Sequence, residues 1–141
     1  MAQKIKPASF EILLLVFSAI IFLDRVLKLF VQDSCLAFLC IKRTANSGAA
    51  FGILSGQFWL LMAVSVIVLA LIAYFWRIKE IRLALTLLAA GTIGNLIDRI
   101  LYSRILDIFS VFGSSSFNLS DLSNLAGAIL LIIFILKGKS K

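Results

Sequence analysis

Two aspartates, Asp107 and Asp121, lie near the C-terminal end of a chain that is otherwise strongly apolar. A carboxylate costs several kcal/mol in hydrocarbon unless it is paired, hydrated or near the interface, so both need an explanation beyond solubility. Two carboxylates held close together cannot both ionise easily, so one keeps a proton while the other can take one from water. Peptide-bond hydrolysis requires this division of labour, and we predict that Asp107 and Asp121 form a catalytic pair. The alternative is that each caps a helix, with Ser120 or Asp121 as the N-cap residue of the last helix.

The chain contains no histidine, which excludes Ser-His and Cys-His relays, histidine-ligated zinc sites and a histidine proton switch. Carboxylates and lysines remain for acid-base chemistry, and we expect neither a metal nor a nucleotide cofactor. Cys35 and Cys40 lie close together in one loop, without the spacing of a zinc or haem site. They have either an ordinary apolar role or form a disulfide if that loop is extracytoplasmic.

Further polar residues recur at helical spacing. Asp24 and Lys28 are four residues apart, which favours an ion pair that locks the first helix to the others. Asn95, Asp98 and Arg99 place an amide, a carboxylate and a guanidinium on one face of the third helix. This face could hold the backbone carbonyls of a peptide or brace the protein itself, and the spacing leaves both roles open.

Residues 46–52 read Asn-Ser-Gly-Ala-Ala-Phe-Gly, a segment of small residues with one aromatic. Its glycines permit a turn and a close approach of backbone to a ligand. Asn46 could hydrogen-bond the main chain of a substrate there.

The elements that must position these residues are membrane helices. A hydrophobic content of 62% over 141 residues is too high for a soluble domain of this size. Four segments reach the roughly 20 apolar residues of a spanning helix, at about residues 9–31, 57–76, 83–102 and 118–136. The first has no small-residue cleavage site after its apolar run and is read as a retained helix. We expect residues 1–141 to form a single membrane-embedded domain.

Basic residues indicate the orientation of these helices. They flank the ends that we place in the cytoplasm, together with both termini. These residues are Lys4, Lys6, Arg77, Lys79, Arg82, Lys137, Lys139 and Lys141. The net charge of +7 is thus assigned to membrane topology, and no nucleic-acid partner is expected.

The polar clusters then fall in one leaflet, because chain direction alternates from one span to the next. At about 1.5 Å per residue, Arg82 to Asp98 and Asp121 to Lys137 each span about 24 Å of a hydrocarbon core of about 30 Å. The acids therefore lie near the outer boundary, where a side chain meets both water and an embedded peptide. Residues 33–56 and 103–117 are read as the outward loops, the first containing a short hairpin.

Taken in order, these motifs resemble the bacterial lipoprotein signal peptidases, the signal peptidase II family, over about residues 20–130. The motifs are Asp24-x-x-x-Lys28, Asn46-x-Gly48-x-Ala50-Phe51-Gly52, Gly91-x-x-Gly94-Asn95-x-x-Asp98-Arg99, Asp107, and Phe117-Asn118-x-x-Asp121. The resemblance implies that Asp107 and Asp121 are catalytic. It implies that substrate is held by Asn46, Asn95, Arg99 and Asn118. It assigns supporting roles to Asp24, Lys28, Gly48, Phe51 and Asp98.

The implied fold is an all-α integral membrane protein of four transmembrane helices, with a small extracytoplasmic β-element and a surface helix within residues 33–56. The implied activity is that of a membrane aspartyl endopeptidase, which removes the signal peptide from diacylglyceryl-modified prolipoproteins just before the lipidated cysteine. The resemblance places it in the bacterial cytoplasmic (inner) membrane with its site near the outer face, in contact with membrane lipid. It also implies inhibition by globomycin-type cyclic peptides, and we expect a monomer.

Two other readings remain open. A small transporter or channel subunit also contains intramembrane acids and arginines, although these usually lie near the midplane. A non-catalytic scaffold related to the enzyme would keep the fold without the reaction. Loss of either Asp107 or Asp121 would abolish cleavage by an enzyme and leave binding by a scaffold partly intact.

Overall fold

The computed structural model describes residues 8–36, 39–48, 56–111 and 115–138 of the chain. Most of them lie in four long helices: α1 Phe10–Phe30, α2 Phe58–Phe75, α3 Arg82–Tyr102 and α4 Leu119–Gly138. A 3₁₀ turn at Lys79–Ile81 leads into α3, which is the central helix and packs against the other three. The four predicted apolar segments correspond to these helices within two residues at each end.

The distribution of polar side chains is the inverse of that in a soluble protein. Exposed positions are large and apolar, as at Trp59, Ile67 and Leu136, which are 81%, 57% and 62% exposed. The buried polar and charged residues are Asp24, Lys28, Ser65, Thr86, Thr92, Asn95, Asp98, Arg99, Asp107, Ser110, Asn118, Ser120 and Ser123. Such a surface suits contact with lipid, and the buried groups can find hydrogen-bond partners only inside the protein.

Within the part of the chain that the structure describes, three helices are long and apolar enough to cross a membrane, in the segments Phe58–Phe75, Lys79–Tyr102 and Leu119–Gly138. α1 has 21 residues, but four of them are ionisable: Glu11, Asp24, Arg25 and Lys28. The composition of α1 alone therefore does not identify it as a membrane span. Of the four predicted spans, three are confirmed.

An antiparallel sheet covers the end of the bundle that carries the aspartates. Its four strands are β1 Ser34–Leu36, β2 Leu39–Asn46, β3 Ile105–Val111 and β4 Ser115–Phe117, hydrogen-bonded in that order. The predicted β-element within residues 33–56 is confirmed by β1 and β2. Within the described part of that range, residues 33–36, 39–48 and 56, no helix occurs. Residues 37–38 and 49–55 lie outside the described residues, and the surface helix stays a prediction there.

The interpretation of residues 103–117 as a loop was wrong, and the fold is not purely helical outside residues 33–56. β3 pairs with β2 on one side and β4 on the other. The run Ile-Leu-Asp-Ile-Phe-Ser-Val favours a strand through its β-branched and aromatic residues, although its main partner lies about 60 residues earlier in the chain. The loop interpretation followed from the local sequence, which does not reveal a pairing with a distant strand.

The turn that places β3 follows directly from the end of α3. Ser103 adopts the left-handed conformation with φ of 56°, and its N–H donates to the carbonyl of Arg99 at 2.9 Å. A left-handed C-cap redirects the chain sharply after a helix. β3 therefore begins two residues later at Ile105, and Asp107 returns toward the bundle.

Close contact between α3 and α4 depends on glycine. A Cβ atom at Gly91 would lie 2.3 Å from the carbonyl oxygen of Ser120, and one at Gly94 would lie 2.0 Å from the Ser120 hydroxyl oxygen. Small residues at such positions allow helix backbones to approach in a membrane. At the opposite end of the bundle, Ile72, Ile81 and Leu85 form an apolar core.

Cys35 and Cys40 are joined by a disulfide that links β1 to β2. The two cysteines are directly opposite each other in the strand register. Of the roles left open for this pair, the structure contains the disulfide.

Candidate active site

The N-terminus of α4 is closed by a reciprocal pair of hydrogen bonds between Asn118 and Asp121. The backbone N–H of Asp121 donates to Asn118 Oδ1 at 2.9 Å, and the backbone N–H of Asn118 donates to Asp121 Oδ2 at 3.2 Å. This is the arrangement of a capping box, with Asn118 as the N-cap residue and Asp121 three positions later. The alternative that Ser120 or Asp121 is the N-cap residue was wrong, because Asn118 occupies that position and Asp121 completes the box.

Asp107 is fully buried on β3 and accepts three hydrogen bonds. Asn118 Nδ2 donates to its Oδ1 at 2.9 Å, while Asn46 Nδ2 and Ser116 Oγ donate to its Oδ2 at 3.1 and 2.9 Å. Its donors come from β2, β4 and the cap of α4, so three elements fix one carboxylate. Such a set of donors holds a carboxylate in a single orientation.

Asn95 on α3 closes the connection between the two aspartates. Its Nδ2 donates to Asp121 Oδ1 at 2.8 Å, and its Oδ1 accepts from Asn118 Nδ2 at 3.1 Å. Asn118 thus uses one amide nitrogen for both Asp107 and Asn95. The structure brings Asp107, Asp121, Asn46, Asn95 and Asn118 into one hydrogen-bonded network.

A second cluster of four charges lies behind this network. Lys28 Nζ is 2.8 Å from Asp24 Oδ2 and 2.6 Å from Asp98 Oδ2. Arg25 bridges the same two carboxylates, at 2.5 Å from each. The predicted pair Asp24 and Lys28 is present, and Asp98 joins it across the interface between α1 and α3. Removing one partner of a buried ion pair is far more costly than replacing the pair as a whole.

The charged cluster also supports the elements that carry the aspartates. Asp98 Oδ2 accepts from the backbone N–H of Leu106 at 3.1 Å, one residue before Asp107. Asp24 Oδ1 accepts from the backbone N–H of Ser120 at 3.1 Å, one residue before Asp121. Each acid of the cluster therefore holds the residue preceding one member of the aspartate pair.

The polar face predicted for α3 divides between two sides of the helix. Asn95 and Arg99 border a cavity, whereas Asp98 is directed at α1 and has no part in that surface. Arg99 is 8% exposed, and its Nη1 lies 3.5 Å from Ser65 Oγ on α2. Of the two roles left open for this face, bracing thus fits Asp98, and the cavity position of Asn95 and Arg99 permits contact with a substrate.

Asn46 is held by a turn at the end of β2. Its Oδ1 accepts from the backbone N–H of Gly48 at 2.9 Å, an Asx-type contact, which leaves Nδ2 for Asp107. Gly48 therefore supports the orientation of Asn46. Phe51, the other supporting residue predicted in this segment, lies outside the described residues.

Two contributors to the site are not among the predicted site residues. The Asp24-Arg25 dipeptide is the sequence signal for Arg25, which also donates to the carbonyl of Gly94 at 3.1 Å. Ser116 donates to Asp107 only because β4 pairs with β3, and no local pattern distinguishes it from its serine neighbours.

A cavity of about 620 Å³ lies beside the network, among α2, α3, α4 and the sheet. Asp121, Asn46 and Ser116 line it, whereas Asp107 does not and is 0% exposed. In this conformation Asn46 and Ser116 therefore separate Asp107 from the cavity. Most of the remaining wall is apolar, which suits an apolar peptide segment.

The signal peptidase (SPase) II family model matches residues 16–137 of the chain. A lipoprotein signal peptidase of Syntrophomonas wolfei subsp. wolfei is 35% identical over 133 residues, covering 85% of this chain and 89% of that protein. One of Staphylococcus carnosus is 36% identical over 151 residues, covering 93% and 94%. A bacterial membrane enzyme solved by the in meso method at 2.3 Å superposes with a TM-score of 0.86 at 29% identity, covering 98% of this chain and 95% of its own.

Proposed function

The chain belongs to the signal peptidase II family and is a peptide hydrolase that removes signal peptides from prolipoproteins, and we propose that Asp107 and Asp121 perform the hydrolysis. The observation that carries this proposal is the position of Asn118, which contacts both carboxylates directly. A side chain that only capped α4 would not also need to donate to an acid on β3.

In the proposed reaction, one aspartate acts as a carboxylate and removes a proton from a water molecule. The water oxygen bonds to the scissile carbonyl carbon, while the other aspartate donates its proton to the carbonyl oxygen. The roles then reverse: the carbonyl re-forms, the amide nitrogen takes a proton, and the C–N bond breaks. The products are a signal peptide with a new carboxylate and a lipoprotein with a new amine.

Asp107 must become accessible for this reaction. Its contacts with Asn46 and Ser116 are the two that face the cavity, so substrate and water must displace at least one of them. Asn118 Nδ2 donates to the other carboxylate oxygen of Asp107, Oδ1, and can keep this hydrogen bond throughout the reaction. We propose that Asn46 and Ser116 change partners during the cycle and that Asn118 does not.

Asn95 and Arg99 are proposed to hold the substrate backbone in the cavity. A signal peptide that unwinds near the scissile bond exposes backbone N–H and C=O groups, which are costly in an apolar environment without partners. Arg99 donates to Ser65 Oγ over a long distance of 3.5 Å, and it borders the same cavity as Asp121. The guanidinium can therefore donate to substrate carbonyl groups beside the catalytic pair.

The proposed placement in the bacterial inner membrane uses α1 as the fourth span of a single domain. Three of its ionisable residues, Asp24, Arg25 and Lys28, are neutralised in the buried cluster with Asp98, which removes the main objection to insertion. The disulfide in β1–β2 supports an extracytoplasmic sheet, because disulfides persist in oxidising compartments.

Both termini are then cytoplasmic and the aspartate pair lies near the outer face. At the proposed cytoplasmic ends of α2 and α3, Arg77 stacks over Tyr74 and Arg82 lies over Trp76, at 4.4 and 5.8 Å from the ring centroids. Aromatic and basic residues together are typical of membrane interfaces. We expect a monomer in contact with lipid, whose site also accepts globomycin-type cyclic peptides.

The substrate is proposed to be a prolipoprotein with diacylglycerol on the cysteine that follows the scissile bond. The lipid chains would lie against the exposed apolar flanks of the helices. The test is mass spectrometry of the products after incubation of the purified protein with the modified and the unmodified prolipoprotein. We expect one cut, just before the lipidated cysteine, and cleavage of the modified form only. A cut elsewhere, or equal cleavage of the unmodified form, would contradict the proposed substrate.

A further inference from the structure

A second polar pair lies in the cavity, one helical turn away from the aspartates. Thr92 Oγ1 on α3 donates to Asn124 Oδ1 on α4 at 3.4 Å, and both residues line the cavity. Neither belongs to the hydrogen-bonded network of Asp107 and Asp121. The same cavity is also lined by Val68, Leu122 and Leu125, and most of its surface is apolar.

The depth of this pair follows from the pairing of α3 with α4. Asn95 contacts Asp121, whereas Thr92, three residues earlier on α3, contacts Asn124, three residues later on α4. Because the residue numbers change in opposite directions, the helices are antiparallel. The Thr92–Asn124 pair is therefore displaced by about 4.5 Å along the bundle, away from the end that carries the aspartates.

Asn124 has unused hydrogen-bonding capacity. Its Oδ1 accepts from Thr92, whereas its Nδ2 has no partner among the residues that the structure describes. Asn124 is only half-buried and borders the cavity, so a molecule bound there can contact its side chain. An amide donor that loses water on ligand binding destabilises the complex unless it gains an acceptor.

We propose that Asn124 is a specificity-determining residue, which donates from Nδ2 to a hydroxyl-bearing side chain of the signal peptide just before the scissile bond. Thr92 is a positioning residue that fixes the Asn124 amide. This inference rests on the proposed function. The signal peptide lies deeper in the membrane than the scissile bond, and an extended chain advances by about 3.3 Å per residue. A displacement of about 4.5 Å therefore corresponds to one or two residues before the cut.

The test compares peptide substrates that carry alanine or serine at each of the three positions before the scissile bond, one position at a time. The readout is the ratio of kcat/KM for the serine peptide to that for the alanine peptide. Because both peptides are measured with the same enzyme preparation, the fraction of folded protein cancels. For the wild type we expect a ratio of about three to ten at one position, the value of one hydrogen bond.

Asn124→Leu removes the amide at similar size and should reduce this ratio to about one. Thr92→Val should reduce it partly, and it carries the test if Asn124→Leu fails to fold. The matched control is Ser123→Ala, because Ser123 Oγ donates to the carbonyl of Leu87 at 2.7 Å and thus also links α4 to α3, outside the cavity lining. Its ratio should equal that of the wild type.

Three outcomes would overturn the inference: no preference for serine by the wild type at any position, a preference that Asn124→Leu retains, or an equal loss in Ser123→Ala. The last two would mean that the pair only braces the two helices. If the folded wild type cleaves no peptide at the expected bond, the proposed function itself is contradicted. This outcome differs from the three above because no peptide gives product.

Discussion

Asn118 and Asp121 cap the first turn of α4 by exchanging backbone-to-side-chain hydrogen bonds of 2.9 and 3.2 Å. The exchange occupies Asn118 Oδ1 and Asp121 Oδ2. It leaves Asn118 Nδ2 for Asp107 and Asp121 Oδ1 for Asn95. The capping and the catalytic interpretations of Asp121 are therefore compatible, because the cap fixes the position from which the carboxylate would act.

Two variants of Asn118 should separate capping from the organisation of the carboxylates. Asn118→Ala removes both functions, and loss of an N-cap typically costs about 1 kcal/mol. Asn118→Ser keeps an N-cap acceptor for the Asp121 N–H but loses the amide donor to Asp107 and Asn95, and it adds no carboxylate beside Asp107. We expect Asn118→Ser to be more stable to heat than Asn118→Ala, and both variants to lose about 100-fold or more in kcat/KM. Activity of Asn118→Ser close to that of the wild type would contradict the role assigned to Nδ2.

Lys28→Met should destabilise the protein strongly. Lys28 is 4% exposed and contacts both Asp24 and Asp98. Without it, Arg25 is the one cation that pairs with these two carboxylates among the described residues. Breaking a buried ion pair typically costs about 3–5 kcal/mol. Thermal unfolding in detergent measures the effect. Lys79→Met is the control, because Lys79 is exposed and makes no salt bridge within the described residues. Equal melting temperatures for the two variants would refute the importance of the cluster.

Gly91→Ala should separate α4 from α3. The added Cβ would lie 2.3 Å from the Ser120 carbonyl oxygen, a backbone atom one residue before Asp121. Overpacking of this kind typically costs about 1–3 kcal/mol, and movement of Asp121 should lower kcat as well. Gly138→Ala is the matched control, since a Cβ at Gly138 meets nothing within 4 Å. We measure melting temperature and kcat for both; an unchanged Gly91→Ala would show that the helices can separate freely here.

The disulfide predicts the thiol chemistry of the native protein. Native protein should contain no reactive thiol, and two should appear after reduction, in a thiol titration under denaturing conditions. For a loop of this length, the chain-entropy estimate gives about 2 kcal/mol of stabilisation, so reduction should lower the melting temperature. Cleavage should largely persist, because Cys40 pairs with Ser110 on β3, whereas Thr44 is the residue opposite Asp107. Two free thiols in native protein would contradict the oxidised hairpin.

The helices could be predicted from the sequence because a membrane span is a local property. α2 contains 18 residues without a charge, and its hydropathy is enough to identify it. The contact of Lys28 with Asp24 is equally local, because four residues separate them. Most of the predicted polar residues meet at one end of the bundle for the same reason, since each closes or opens a helix.

The sheet could not be predicted in full because its pairing is not local. β2 and β3 are separated in sequence by two complete helices, and a register shift between Ile41 and Thr44 interrupts their ladder. Ser116 reaches Asp107 only through this sheet. The role of Asp98 also depends on which way α3 turns toward α1, which spacing along one helix does not determine.

The measurement that tests the account most directly is cleavage of the lipid-modified prolipoprotein by Asp107→Asn and Asp121→Asn. Asp33→Asn makes the same change at an exposed residue outside the network and serves as the control. We predict that both site variants remain folded and lose about 10⁴-fold or more in kcat, while the control matches the wild type. Cleavage by a folded Asp107→Asn or Asp121→Asn variant at a rate near that of the wild type would contradict the assignment of the catalytic pair.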